Sequence, residues 1–286
     1  MIRIDEPSLL KIDSLNSDSL RAQAVGATAL IVVSGAGLVT FALPFIVSGL
    51  GVEASTGASR TIDASLLLAV IVTGTLVVTV GELARGPRPG SLSRSIALLA
   101  TLVAIDATLR LAPSFYGASP IFGLIILVGC VFGARFGFVM GALTLFLSAA
   151  ITAGVGPWLP FQMLCAGWVG LASGWLPRGK SERVELTTLV VYGLGVGFAF
   201  GALMNLYSWP FAAPAASADV GLYWSPTLSL AESLQRYAKF YVTTSLLHDA
   251  TRAAATAAVL LVVARPVLRL LRRFQARALW TTTVQH

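Results

Sequence analysis

Ten consecutive residues, Gly154-Val155-Gly156-Pro157-Trp158-Leu159-Pro160-Phe161-Gln162-Met163, interrupt two long apolar runs with two glycines, two prolines, an indole, a phenyl ring and an amide. Broken helix ends that carry polar groups near a membrane surface are where membrane proteins build small-molecule sites. The chemistry available is recognition: Trp158 and Phe161 offer ring faces, and Gln162 offers hydrogen bonds. Arg110 lies four residues after Asp106, close enough to pair with it along a helix. Arg110 therefore either closes a structural ion pair or faces a ligand carboxylate or phosphate. A second polar group is His248, Asp249 and Arg252, the last two spaced i, i+3. Counted from Tyr237, it falls near the middle of a span, where ionisable groups face a cavity or another helix. Its alternative role is a buried ion pair that sets helix register. Asn205 adds a neutral hydrogen-bonding group.

Covalent chemistry finds no support in the same inventory. A serine hydrolase needs a nucleophile and a base brought together, and His248 is the one histidine inside an apolar run. Gly170-Leu171-Ala172-Ser173-Gly174 has the wrong spacing for a Gly-x-Ser-x-Gly elbow. Paired acidic motifs and a Walker-type phosphate loop are absent from the sequence, so the chain is not expected to be an enzyme or to hydrolyse ATP itself. Cys130 and Cys165 lie in apolar runs without ligand-like spacing to His248 or His286, which implies neither a disulfide nor a metal site.

The elements that must carry these residues are membrane helices. Of 286 residues 56% are hydrophobic and 12% charged, and the mean hydropathy is +0.81. The apolar runs suffice for a hydrocarbon core about 30 Å thick, which needs roughly 20 helical residues, and they do not alternate with period two as barrel strands do. Eight spans are predicted: 24–50, 62–83, 92–111, 120–132, 136–153, 158–176, 186–207 and 237–264. The fold class is thus all-α, a polytopic membrane helix bundle. Residues 1–23 mix acidic and basic side chains ahead of an apolar run too long for a signal-peptide core, so no cleaved signal is expected. The breaker-rich linker Ala84-Arg85-Gly86-Pro87-Arg88-Pro89-Gly90 sets apart an additional hairpin over 24–90 from a six-helix core over 91–265, with a basic tail at 266–286.

The net charge of +7 raises nucleic acid as a partner, and the placement of the charge argues against it. With the N-terminus in the cytoplasm and the chain alternating, fifteen of the 20 basic residues fall inside and four outside, with Arg252 inside a span. That bias orients a membrane protein. Tyrosine and tryptophan have the opposite bias: Tyr116, Trp158, Tyr207, Trp209, Tyr223, Trp224, Tyr237 and Tyr241 gather at the outer face. An aromatic belt occupies both interfaces, so a cup for flat or apolar ligand surface competes with a belt as the explanation. The long connection 209–236 is expected to form a structured cover. In the third span Ala97, Ala100, Ala104 and Ala107 follow one helical face, where another helix could approach closely.

Three segments carry a family resemblance. Ser119-Pro120-Ile121-Phe122-Gly123-Leu124-Ile125-Ile126-Leu127-Val128-Gly129-Cys130-Val131-Phe132-Gly133-Ala134-Arg135-Phe136-Gly137-Phe138, then Gly156-Pro157-Trp158-Leu159-Pro160-Phe161-Gln162-Met163, then Gly167-Trp168-Val169-Gly170 resemble substrate-binding S components of energy-coupling factor (ECF) vitamin transporters, most closely the branch that includes the cobalamin type. The resemblance covers roughly 91–264. It implies six membrane helices, both termini inside, an outward vitamin pocket closed by loops, and an Ala-x-x-x-Ala face, here Ala100 and Ala104, that docks on a transmembrane coupling subunit. It also implies transport by toppling of the S component, driven by two ATPase subunits, with no cofactor in this chain. Arg110, Phe115 and Tyr116 then belong to the first wall of the site, Trp158, Phe161 and Gln162 to the second, and Tyr207, Trp209, Tyr223 and Trp224 to the third. The hairpin departs from the family pattern. Two alternatives stay open: an ion-coupled secondary carrier with Asp106, Asp249 and Arg252 as its relay, or a membrane scaffold that binds no small molecule.

Overall fold

The computed structural model describes residues 6–50, 58–83, 91–111, 116–177, 181–212 and 221–280. Among them the chain forms helices and no strand: α1 Glu6–Leu50, α2 Ala58–Leu83, α3 Ser91–Leu109, α4 Ile121–Phe132, α5 Ala134–Ile151, α6 Leu159–Ser173, α7 Glu182–Ser208, a 3-10 turn Trp209–Phe211, α8 Leu230–Thr244 and α9 Leu246–Trp280. This is the expected all-α bundle. The six core helices are α3 to α7 and α9, and α1 with α2 makes the hairpin. Phe115, His286 and the linker 84–90 lie outside the described residues.

Sequence and structure part company at the last predicted span. Residues 237–264 are not one helix. Ser245 ends α8, donating its N–H to Tyr241 O at 2.9 Å, and its own carbonyl accepts from the Asp249 N–H as α9 begins. Glu232, Gln235, Arg236 and Lys239 make α8 too polar to cross hydrocarbon. It packs on α1, α7 and α9 and buries Ser233 and Phe240. The apolar stretch long enough to span begins at Leu246. His248, Asp249 and Arg252 therefore occupy the first two turns of α9, near a helix end and not midway along a span.

α4 is the central helix. Its 12 residues reach only about 18 Å at about 1.5 Å per residue, short of a bilayer core, and nearly all are buried against α5, α6, α7 and α9. Gly133, at φ 99°, separates it from α5. The tightest packing is between α5 and α6, where Gly137 and Gly170 face each other so closely that a Cβ on either would strike the other's carbonyl oxygen. In lipid, where apolar burial does not drive helix association, such backbone contact contributes van der Waals attraction.

One end of the bundle is rich in arginine. There α7 starts on Ser181, whose hydroxyl accepts from the Val184 N–H, and Arg269 pairs with Glu182 at 3.1 Å while Arg272 pairs with Glu185. The other end is rich in aromatic rings. The hairpin is not detached from either: α1 packs on α6, α7 and α8, and α2 on α3, α5 and α6. The Trp168 indole donates to Ser34 Oγ at 3.0 Å.

Candidate functional site at the aromatic end

Arg110 follows the last residue of α3, and its guanidinium ties three helix ends together. Nη1 donates to Ser148 Oγ at 2.7 Å in the last turn of α5, and Nη2 donates to Gln162 Oε1 at 3.1 Å in the first turn of α6. Ser148 in turn donates to Leu145 O at 3.2 Å. The local sequence explains why α5 and α6 end here. Ala153 takes a positive φ of 52°, Gly154 N–H turns back to Ala149 O at 2.9 Å, and Pro160 stands in the first turn of α6, where its missing N–H costs nothing. Trp158 precedes α6, its ring folded over Gly156 and 44% exposed.

Asp106 is not the partner of Arg110. It is fully buried and faces the Thr144 hydroxyl, and neither group closes a hydrogen bond of ordinary geometry among the described residues. The Arg110 side chain instead runs past the end of α3 towards α5 and α6. Two of its five N–H donors are taken, both by neutral acceptors.

The aromatic residues expected to line a cup stack on one another. Phe161 lies 4.2 Å from Tyr207 between ring centroids, and Tyr207 5.8 Å from Phe211. Trp209 is fully buried, 5.3 Å from Tyr237, with its indole N–H donated to Leu222 O at 2.9 Å. Tyr237 donates to Ala202 O at 2.6 Å. Tyr223 lies 6.3 Å from Phe240, and its carbonyl accepts from Arg236 at 3.3 Å. The Trp224 indole donates to Pro44 O at 3.0 Å and to Ser48 Oγ at 3.2 Å, both on α1. Asn205 is buried, with its side-chain nitrogen unmatched among the described residues. Tyr116 and Trp158 stay exposed at 47% and 44%, and Tyr116 stacks at 4.8 Å on His248.

Of the polar group on α9, Asp249 and Arg252 face α7, and His248 is exposed. Asp249 is buried and ion-paired with Arg252, in a space that exists because residue 201 is glycine: a Cβ there would overlap the carboxylate. Arg252 also lies 5.5 Å over the Phe200 ring. The Thr251 hydroxyl donates to Tyr116 O, which ties α9 to the turn after α3. At the start of α8 a capping box joins Ser229 and Glu232, and these hydrogen bonds hold the Glu232 carboxyl below its ordinary value.

Sequence inspection missed Ser148, Phe41, Phe45, Pro44 and Ser48 as members of this assembly. Phe41 lies 5.1 Å from Phe161, and Phe45 5.8 Å from Trp209. Their i, i+4 spacing matches that of two lipid-facing rings, and only Pro44 inside the helix marked the stretch. On α3, Ala97, Ala100 and Ala104 are exposed, whereas Ala107 is fully buried and does not share their face. Thr101 and Thr108 bond back to Ala97 O and Ala104 O, so that face presents no unspent hydroxyl.

The model of the ECF transporter substrate-specific component family matches residues 94–264, more than half of the chain and the whole run from α3 into α9, while α1 and α2 lie outside the match. No curated protein and no solved structure matches the chain. With its membrane-capable apolar helices, this chain belongs to the family of ECF transporter substrate-specific components and is the membrane-embedded substrate-binding component of such a transporter.

Proposed function

We propose that this S component captures a vitamin or related heterocycle at its aromatic end and delivers it by reorienting within an ECF assembly. The observation that carries this reading is Arg110. A half-buried guanidinium held by Ser148 and Gln162, with no carboxylate partner among the described residues, is a cation free to meet a substrate's polar or anionic group. Trp158, exposed one turn before Gln162, and Tyr116, exposed beside His248, make the first contacts. Phe161, Tyr207 and Trp209 form the deeper wall, with Asn205, Tyr223 and Trp224 around it, and the resemblance adds Phe115 to the contacts. The substrate enters from outside the cell membrane, with both termini cytoplasmic, as the basic-residue bias supports. Ala97, Ala100 and Ala104 dock on the transmembrane coupling subunit, and two partner ATPases supply the energy. The resemblance over 119–170 favours a corrinoid.

The carrier alternative needs Asp106, Asp249 and Arg252 in one relay. Asp106 faces α5 through Thr144 and Asp249 faces α7 through Gly201, which gives that relay no support. The test is to purify the protein from membranes, denature it and identify what is released by absorbance and mass. A bound heterocycle supports the reading. Solute accumulation against a gradient by liposomes holding this chain alone overturns it.

A further inference from the structure

The hairpin lies outside the family-matched segment, yet three of the candidate substrate contacts rest on α1: Phe161 on Phe41, Trp209 on Phe45, and Trp224 on Pro44 and Ser48. The last contact differs in kind from the other two. Residues 221–224 cross the aromatic end, and three holds on them are seen among the described residues. Leu222 O accepts from Trp209 at 2.9 Å and Tyr223 O accepts from Arg236 at 3.3 Å, so one hold comes from the 3-10 turn after α7 and the other from α8. The third runs from the Trp224 indole to α1.

Its receptor is prepared by the helix itself. Ser48 Oγ donates to Pro44 O at 2.9 Å, one turn earlier, and so presents an oxygen pair to which a single indole N–H can bond. Ser48 is buried, and an N–H lifted from that receptor into an apolar layer finds no water to replace it. Phe45, between Pro44 and Ser48, lies 5.8 Å from Trp209 and 5.9 Å from Tyr237, the rings beneath the crossing segment.

We propose that α1 is the keeper of the site's cover: the Pro44 and Ser48 receptor and the Phe45 ring position residues 221–224 over Trp209, and substrate entry requires Trp224 to leave α1. The functional half of this statement rests on the reading of the aromatic end as the substrate site; the positioning half does not. Phe45 and Ser48 are positioning residues, acting through Trp224 and Trp209. In this protein the added hairpin thus forms one jamb of the gate.

The experiment is amide hydrogen exchange on the full chain in lipid nanodiscs, followed in peptides that cover 221–229, with no ligand added. Trp224→Phe keeps a ring and removes the donor. Exchange there should quicken about five- to tenfold, the equivalent of one lost hydrogen bond, with α4 to α6 unchanged. Ser48→Ala should quicken it in the same direction and Ser48→Thr, which keeps the hydroxyl, should restore it. This second pair decides the matter if Trp224→Phe fails to fold. Ser34→Ala cuts the other α1 bond, to Trp168, and should leave 221–229 at the wild-type rate. Wild-type exchange in Trp224→Phe or in Ser48→Ala overturns the proposal, as does equal loosening by Ser34→Ala. Since no substrate is present, failure here leaves the receptor reading standing, and an empty protein in the denaturation assay leaves the keeper standing.

Discussion

Arg110 and Gln162, 52 residues apart, meet at 3.1 Å through Nη2 and Oε1, and that bond joins the end of α3 to the start of α6. Removing the guanidinium by Arg110→Gln should weaken substrate binding by about 1.5–3 kcal/mol, the usual worth of hydrogen bonds to a charged group, or about ten- to hundredfold in affinity. Arg110→Lys should rescue little, because a single ammonium cannot reproduce the fork to Ser148 and Gln162. Retention of the copurified compound through size exclusion measures both, and full retention by Arg110→Gln removes Arg110 from the site.

Gly170 should tolerate no side chain. Its Cβ would meet the Gly137 backbone, which cannot rotate away as a side-chain tip can. Gly170→Ala is expected to cost about 1–3 kcal/mol from overpacking, and Gly170→Val to abolish a cooperative melt in detergent. Gly35 and Gly195 have open space around them, so alanine at either should leave the melting midpoint nearly unchanged.

The Asp249 and Arg252 pair should show the asymmetry of buried ions. Arg252→Ala strands a carboxylate that is 2% exposed and is expected to cost about 3–5 kcal/mol. Asp249→Ala combined with Arg252→Met should lose less than Arg252→Ala alone, since no charge is left unpaired. Denaturation in mixed micelles compares the two; a double variant worse than the single would contradict the arrangement.

The two ion pairs at the arginine end should differ. Glu182 and Arg269 are 64% and 63% exposed, so Glu182→Gln should cost at most about 0.5 kcal/mol and nothing in high salt. Glu185 is 11% exposed and Arg272 43%, and Glu185→Gln should cost about 1–2 kcal/mol after allowance for solvent screening of the exposed arginine. Equal melting shifts would count against the difference in burial.

Acidification should loosen the start of α8. Glu232 binds its proton less readily when folded, because Ser229 donates to its carboxylate. A depressed folded value means the unfolded chain takes up the proton first. The capping box therefore contributes fully above the ordinary carboxylate range and fades as pH falls through the folded value. Amide exchange at 229–233, corrected for intrinsic pH dependence, should rise below that range in the wild type and not in Glu232→Gln.

Composition and hydropathy by themselves determined the membrane class, the all-helical architecture, and α2 to α7 to within a few residues, because each depends on the local density of apolar side chains along the chain. The breaker-rich block 154–163 marked a helix break for the same local reason, with Gly154, Gly156, Pro157 and Pro160 unsuited to a helix interior. Tertiary structure decided the rest. Arg110 chose Ser148 and Gln162 over Asp106, which stands at ideal sequence spacing, because the direction of a long side chain at a helix end depends on which helices lie beside it. The last apolar stretch broke at Ser245 because α8, too polar to cross, turned Phe240 into the bundle in place of continuing the span. The hairpin became a wall of the aromatic end because Phe41, Phe45 and Ser48 met partners more than a hundred residues away in sequence, and no local pattern distinguishes a ring that will face lipid from one that will face tryptophan.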